Sequence, residues 1–242
     1  MTFAGSGDAF GSGGRFQACI HVRSRDHAPV LLDCGATSLS ALKAAGLDPG
    51  EIGVVFVSHL HGRPFRRAPV PDPRWSVHPR TSLLTIAGPP GTGARLREVM
   101  EALFPGSGDA ARRFDVRVVE LVPGGTETVA GIAVTSWEVD HPSGAPPLAL
   151  RLEVGGRTIA YTGDTTWTDD LVAVASDADL LIAEAYYFDK PVPSHLRHAD
   201  IAAHRGELTS RRIVLTHLST DMLAQDDHVD FDTACDGLVV MP

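Results

Sequence analysis

Two histidines stand two residues apart in Ser58-His59-Leu60-His61-Gly62, directly after the apolar run Ile52 to Val57. At the end of a strand, side chains two positions apart point to the same side. A pair of imidazoles so placed can chelate one metal ion, and nitrogen ligands favour zinc. Taken alone, such a pair is more often one surface histidine beside one packed against a sheet. Further polar residues shift that balance. His141 follows Val139-Asp140, Asp164 ends Tyr161-Thr162-Gly163-Asp164, and His217 ends Val214-Leu215-Thr216-His217, each just beyond an apolar run. Rigid strands ending at one edge would present these groups to a single cleft.

The elements that must position them are short. Val30 to Asp33 reads as a strand closed by a turn at Cys34-Gly35, and Ile52 to Ser58 as a buried strand. Between them Ser38 to Ala45 reads as a helix capped by Gly46, and Asp48-Pro49-Gly50 as a turn. Gly91 to Phe104 carries Leu96, Val99, Met100 and Leu103 on one helical stripe. Val116 to Val122, Ile132 to Val139 and Leu148 to Val154 read as strands, with Gly155-Gly156 turning the last into Thr158 to Thr162. A helix over Thr168 to Ala175, a strand over Leu180 to Ala183, a helix over Ala199 to Leu208 and a strand over Ile213 to Leu215 complete the chain. Hairpins interspersed with helices predict an α+β fold, two packed sheets with helices outside, in one domain over residues 1–242.

Composition narrows the function. The 242 residues are 43% hydrophobic and 21% charged, enough for a sizeable core. Twenty-one basic against thirty acidic residues give −9, which argues against a general nucleic-acid or anionic-membrane binder. No apolar run approaches a membrane span, and Met1 to Arg15 lacks the pattern of a signal peptide. Cys19, Cys34 and Cys235 are odd in number and have no C-x-x-C spacing, so a disulfide scaffold is not expected and a reducing cytoplasm is. His21, His27, His78, His198, His204 and His228 read as ordinary surface groups.

One stretch breaks the pattern. Arg63 to Ser82 holds five of the seventeen prolines and five arginines in twenty residues, and fits neither helix nor strand.

The chain resembles the metallo-β-lactamase-fold hydrolases, and within them the ribonuclease Z-like branch. The resemblance rests on Gly5-Ser6-Gly7-Asp8-Ala9-Phe10, Leu32-Asp33-Cys34-Gly35, His59-Leu60-His61-Gly62, the His141 segment, Thr162-Gly163-Asp164-Thr165 and Leu215-Thr216-His217-Leu218-Ser219, in that order. It implies a four-layer αββα sandwich with a metal pair at one edge. His59, His61 and His141 would bind one ion, Asp164 would bridge both, and His217 would hold the second. Zn2+ would fill one or both positions, with Mn2+ or Fe2+ as alternatives. A water of lowered pKa between the ions would give a hydroxide nucleophile, with Asp164 among the catalytic residues. Glu184 and His195 resemble the ribonuclease Z pair that delivers a proton to the leaving group.

The family pattern H-x-H-x-D-H departs at Arg63-Pro64, where the expected aspartate and histidine would serve the second ion. A guanidinium cannot coordinate a cation and would repel it. One base inserted after the Gly62 codon of a family-like run, encoding His-Gly-Asp-His-Phe-Gly-Gly-Leu-Pro-Phe-Leu, reproduces His61 to Pro71. Arg63 to Ser82 therefore reads as a compensated frameshift, with local disorder expected there and the family pattern resuming near Leu83 to Ile86. The expected activity is metal-dependent hydrolysis of a phosphodiester or related ester, with the second site impaired. The alternative is a weak or inactive single-metal relative that binds a partner. The charge of −9 and the lack of a long basic arm favour a small-molecule substrate over transfer RNA. Arg112-Arg113 and Arg211-Arg212 read as solvated charges, no membrane partner is expected, and a homodimer is left open.

Overall fold

The central runs Val30-Leu31-Leu32 and Val54-Val55-Phe56 are apolar at every position, and such strands must be covered on both faces. The computed structural model describes residues 1–61, 80–107 and 114–242. Its first sheet runs β1 (Thr2–Gly5), β2 (Cys19–Val22), β3 (Val30–Leu32), β4 (Val54–Phe56), β5 (Leu84–Gly88) and β6 (Val116–Glu120) in spatial order. Strands β1 to β3 pair antiparallel, and β3 to β6 pair parallel. The second sheet runs β7 (Thr126–Val129), β8 (Ile132–Glu138), β9 (Leu148–Val154), β10 (Arg157–Tyr161), β11 (Leu180–Glu184), β12 (Ile213–Thr216) and β13 (Asp232–Thr233). It is antiparallel from β7 to β10 and parallel from β10 to β13.

Alternation along each strand sorts the side chains into three cores. Phe3, Ile20, Leu32 and Phe56 meet Leu150, Tyr161, Ile182 and Val214 between the sheets. The intervening Leu31, Val55 and Ile86 point the other way, onto Leu42 of α1 (Ser38–Ala44) and Leu96 and Met100 of α2 (Thr92–Leu103). Leu181, Ala183 and Leu215 likewise meet Leu171 and Val174 of α3 (Asp170–Ala175), Ile201 of α4 (His198–Ala203) and Met222 of α5 (Thr220–Leu223). The layering is α-β-β-α, as expected. Each fully buried leucine contributes about 1.5–3 kcal/mol of transfer free energy.

Local chemistry ends the elements where it should. After α1, Gly46 adopts φ +68, donating to Lys43 O while Leu47 donates to Leu42 O, a Schellman closure. Gly155 and Gly156, at φ +60 and +71, turn β9 into β10 with Val154 opposite Arg157. The strand predicted over Ile52 to Ser58 is ordered as β4 only between Val54 and Phe56. The helix predicted over Ala199 to Leu208 is one residue displaced at its start and ends at Ala203. Strands β1, β2, β7 and β13 carry no expectation from sequence, being two to four residues long. β5 begins where the family pattern was expected to resume.

Two histidines read as surface groups are buried instead. His21 is 5% exposed because β2 is an inner strand, with Thr2 and Leu31 as its cross-strand neighbours. Burial pushes its pKa down to about 4. His198 is 7% exposed, stacked on Phe188 at 4.7 Å with Phe231 edge-on at 5.5 Å. A neutral imidazole packs there as an aromatic.

Residues 63–79 of the frameshift-like stretch, with Arg63, Pro64 and His78, and the Arg112-Arg113 pair lie outside the described residues. Arg80, near the end of that stretch, is 6% exposed and built into the fold. Its guanidinium donates to the carbonyls of Pro49, Gly50, Ile52 and Leu83 and lies 5.3 Å over the Phe114 ring. No helix among the described residues is long and apolar enough to cross a membrane.

Candidate metal centre

Strands β8, β10, β11 and β12 share one direction, so their carboxyl ends share one edge. His141 lies three residues past β8, Asp164 three past β10, Glu184 ends β11, and His217 directly follows β12. His59 and His61 leave β4 of the facing sheet. All seven side chains expected to act, including His195, come together. The ligand-type atoms of His59, His61 and His141 lie within 4.8 Å of one another, and so do those of Asp164, Glu184, His195 and His217. Asp164 joins the groups: its Oδ2 is 3.7 Å from His59 Nε2 and 4.0 Å from His141 Nε2, and its Oδ1 is 3.4 Å from His217 Nδ1.

Hydrogen bonds fix the tautomers. The carbonyl of Ser194 accepts from His141 Nδ1 at 2.8 Å, and that of Pro142 from His61 Nε2 at 2.8 Å. A carbonyl only accepts, so His141 Nε2 and His61 Nδ1 carry lone pairs. Those two bare nitrogens face each other at 3.2 Å. Two lone pairs repel at that distance unless a cation lies between them. Nitrogens bound at ~2.05 Å in tetrahedral geometry sit roughly 3.3 Å apart. At His59, Ser58 Oγ donates to Asp33 Oδ2 at 2.7 Å and is therefore left to accept from His59 Nδ1 at 2.9 Å. That turns the Nε2 lone pair of His59 inward as well. His217 Nδ1 is buried and has no hydrogen-bond partner among the described residues. The donor set fits a divalent cation on each of these counts.

Electrostatics agree. Burial pushes the pKa of His141 down to about 4 and lowers those of His61 and His195, so these imidazoles are neutral near pH 7, the form that ligates. Burial raises Asp164, but the imidazoles of His217, His59, His195 and His141 outweigh it and bring it to about 2. Glu184 is 1% exposed, and burial together with the Asp164 charge holds its pKa well above the usual range. Its Oε1 takes a short hydrogen bond from His195 Nδ1, and its Oε2 accepts from Thr165 N at 2.8 Å and Leu196 N at 3.3 Å.

Backbone strain is concentrated at the centre. Five non-glycine residues among those described have φ between +50° and +69°, and three of them are Asp33, Ser194 and His217. Each such residue costs about 1–3 kcal/mol and persists only where neighbours over-determine it. His217 N donates to Ser6 O, and Asp33 accepts from Ser58 N, Ser58 Oγ and Tyr161 Oη at 2.7–2.8 Å. Gly163, at φ +61, precedes Asp164, and a Cβ there would stand 2.9 Å from Leu148 O and 3.0 Å from Ser58 Cβ.

Sequence reading passed over the supports. The residue types of Asp33 and Ser58 carry no signal of a supporting role, although Ser58 is adjacent to His59 and Asp33 follows its own strand. Tyr186 likewise follows a strand with no sequence signal of its place. It stacks on His195 at 4.8 Å and lines a cleft of about 360 Å³ that opens over the histidines. The carbonyls of Pro142 and Ser194 have no signal in residue type.

A model of the beta-lactamase superfamily domain matches residues 29–218. The chain is 27% identical over 272 residues to ribonuclease Z of Methanosarcina acetivorans, covering 91% of this chain and 87% of that protein. It is 28% identical over 202 residues to an uncharacterized protein of Mycobacterium leprae, covering 81% and 69%. The fold superposes on human tRNase Z, short form, with a TM-score of 0.78 at 24% identity, covering 100% and 98%. It superposes on the metallo-beta-lactamase fold protein YhfI of Bacillus subtilis with a TM-score of 0.77 at 20% identity, covering 99% and 98%.

Proposed function

The chain belongs to the beta-lactamase superfamily, and from that premise we propose that it is a metal-dependent hydrolase of phosphodiester or related ester bonds. The observation that carries the reading is the pair of bare nitrogens on His61 and His141, 3.2 Å apart. His59, His61, His141 and Asp164 would hold one divalent cation, with zinc favoured by three nitrogens and one oxygen. Asp164 and His217 would contribute to a second position. There Arg63 and Pro64 stand where the family pattern has an aspartate and a histidine, so the second ion is held weakly or not at all. A bound ion supplies Lewis acidity and lowers the pKa of water at the centre.

The chain's own residues do the rest. Asp164, held low at about 2 by the surrounding imidazoles, is ionised near pH 7 and supplies the negative charge of the centre. Ser58, Ser194 and Pro142 hold three imidazoles in their ligating tautomers. Glu184 orients His195 through Nδ1, so that Nε2, bare in the neutral ring, can take the proton lost by the attacking water and pass it to the departing oxygen. Ribonuclease Z relatives support a phosphodiester as substrate, and the charge of −9 supports a small one.

The test is turnover of a chromogenic phosphodiester by zinc-loaded chain and by His195→Asn and Glu184→Gln. Each variant should lose about 10²- to 10⁴-fold in kcat, the span of general acid catalysis, while keeping wild-type metal content. Absence of turnover in the zinc-, manganese- and iron-loaded chain would favour the non-catalytic, single-metal alternative. Cleavage confined to precursor transfer RNA would overturn the small-substrate reading.

A further inference from the structure

One wall of the cleft is a loop, residues 7–15, that the hydrolytic centre does not use. Gly7, Asp8, Ala9 and Phe10 line the cleft from this side. Phe10 is 75% exposed at the mouth, in contrast to the buried aromatics of the core. Exposed aromatics in ordinary loops are mobile, whereas this one sits on a braced backbone. The Asp8 carboxylate, 1% exposed, accepts from Phe10 N and Ser12 N at 3.0 Å and from Ser12 Oγ at 2.7 Å. Gln17 Nε2 donates to Ala9 O at 3.0 Å.

The base of the loop is held from the far end of the chain. Asp236 accepts from Ser6 N and Ser6 Oγ at 2.9 Å through Oδ1 and from Phe16 N at 2.8 Å through Oδ2. Arg15 Nη1 reaches the carbonyl of Ala234. One carboxylate thus clamps both ends of the loop, while Gly7 N donates to Phe16 O at 2.7 Å to close it. A Cβ at Gly7 would stand 2.7 Å from Arg15 Cβ, so the two limbs of the loop pack at glycine distance.

The chemistry of this wall is apolar. The Asp8 carboxylate is consumed by the loop itself, and Arg15, whose Nη1 reaches Ala234 O, is not among the residues lining the cleft. Among the described residues lining the cleft there is no lysine or arginine. Among the described residues of this wall a second phosphate or a long polyanion would find no cation, whereas a flat apolar group would find a pre-ordered ring.

We propose that the loop is the recognition wall for the non-reacting half of the substrate, that Phe10 stacks against a planar apolar substituent there, and that Asp236 is the residue that positions it. The substrate class is then a monoanionic diester bearing an aromatic group. This inference rests on the hydrolase reading for the identity of the reacting bond.

The experiment separates the two. Phenyl 4-nitrophenyl phosphate and methyl 4-nitrophenyl phosphate release the same leaving group, so the ratio of their kcat/KM values reports the other substituent. Phe10→Ala should lower the phenyl-to-methyl ratio about fivefold, the size of one stacking contact, and Phe10→Tyr should restore it. Asp236→Asn should lower the same ratio through KM rather than kcat. Calorimetric binding of diphenyl phosphate against dimethyl phosphate to the zinc-loaded chain reads the wall without turnover, and the same loss is expected in Phe10→Ala. An affinity ratio unchanged in Phe10→Ala overturns the wall, whatever the turnover. An affinity ratio that falls as expected, in a chain that cleaves neither diester, upholds the wall and removes the hydrolase reading.

Discussion

Nε2 of His141 and Nδ1 of His61 face each other at 3.2 Å, with each ring's proton committed to a backbone carbonyl behind it. That arrangement is unfavourable as it stands and becomes favourable when a cation enters. Metal binding should therefore stabilise the fold. At a free zinc concentration 1,000 times Kd the linkage contribution is about 4 kcal/mol, which for a chain of this size raises Tm by roughly 8–16 °C. Differential scanning calorimetry of chelator-treated and zinc-loaded chain measures it. A Tm that ignores zinc would remove the centre as a metal site.

Ser58 passes the Asp33 carboxylate's influence to His59. In Ser58→Ala the hydroxyl bridge is gone and His59 is free to adopt either tautomer. Metal affinity should fall about 10- to 100-fold, the usual effect of losing a partner behind a ligand. Competition against a chromophoric chelator gives the number. An unchanged affinity would mean that packing alone orients the ring.

His21 offers a pH test remote from the centre. Its folded pKa is about 4, against an unfolded value near 6.5. Between these values the unfolded chain binds the extra proton, so stability rises with pH. The contribution is fully present above pH 6.5 and is lost as pH falls toward 4. Urea titrations of the metal-free chain from pH 7 to 4 should show that decline, with a flatter profile in His21→Leu. Equal slopes in the two would assign the loss to other groups.

In the sequence, Arg63 and Pro64 stand where the family pattern has an aspartate and a histidine. Arg63→Asp combined with Pro64→His should raise bound zinc from one ion per chain toward two and raise kcat on a phosphodiester. Mass spectrometry under native conditions counts the ions. A stoichiometry that stays at one, with no gain in rate, would remove the account of those positions as a lost ligand pair.

The residues proposed to ligate and to shuttle protons were legible in the sequence because they follow apolar runs. His59, Asp164 and His217 each end a stretch whose every side chain must be buried, and a polar group at the boundary has to leave the core. The sandwich was legible for the same reason, since strands buried on both faces require helices outside. What the linear order could not carry was which ends meet. β1, β2 and β13 are too short to carry a period, yet they bring Asp236 to Ser6 and Phe16, more than two hundred residues away. Nor could it reveal that His21 lies inside a sheet while His228 stays exposed, because an isolated histidine is compatible with either environment until its neighbours are known. The tautomers were decided only in three dimensions. Backbone carbonyls at Pro142 and Ser194 choose which nitrogen is bare, and every residue has a carbonyl, so residue type says nothing about which one will be in place.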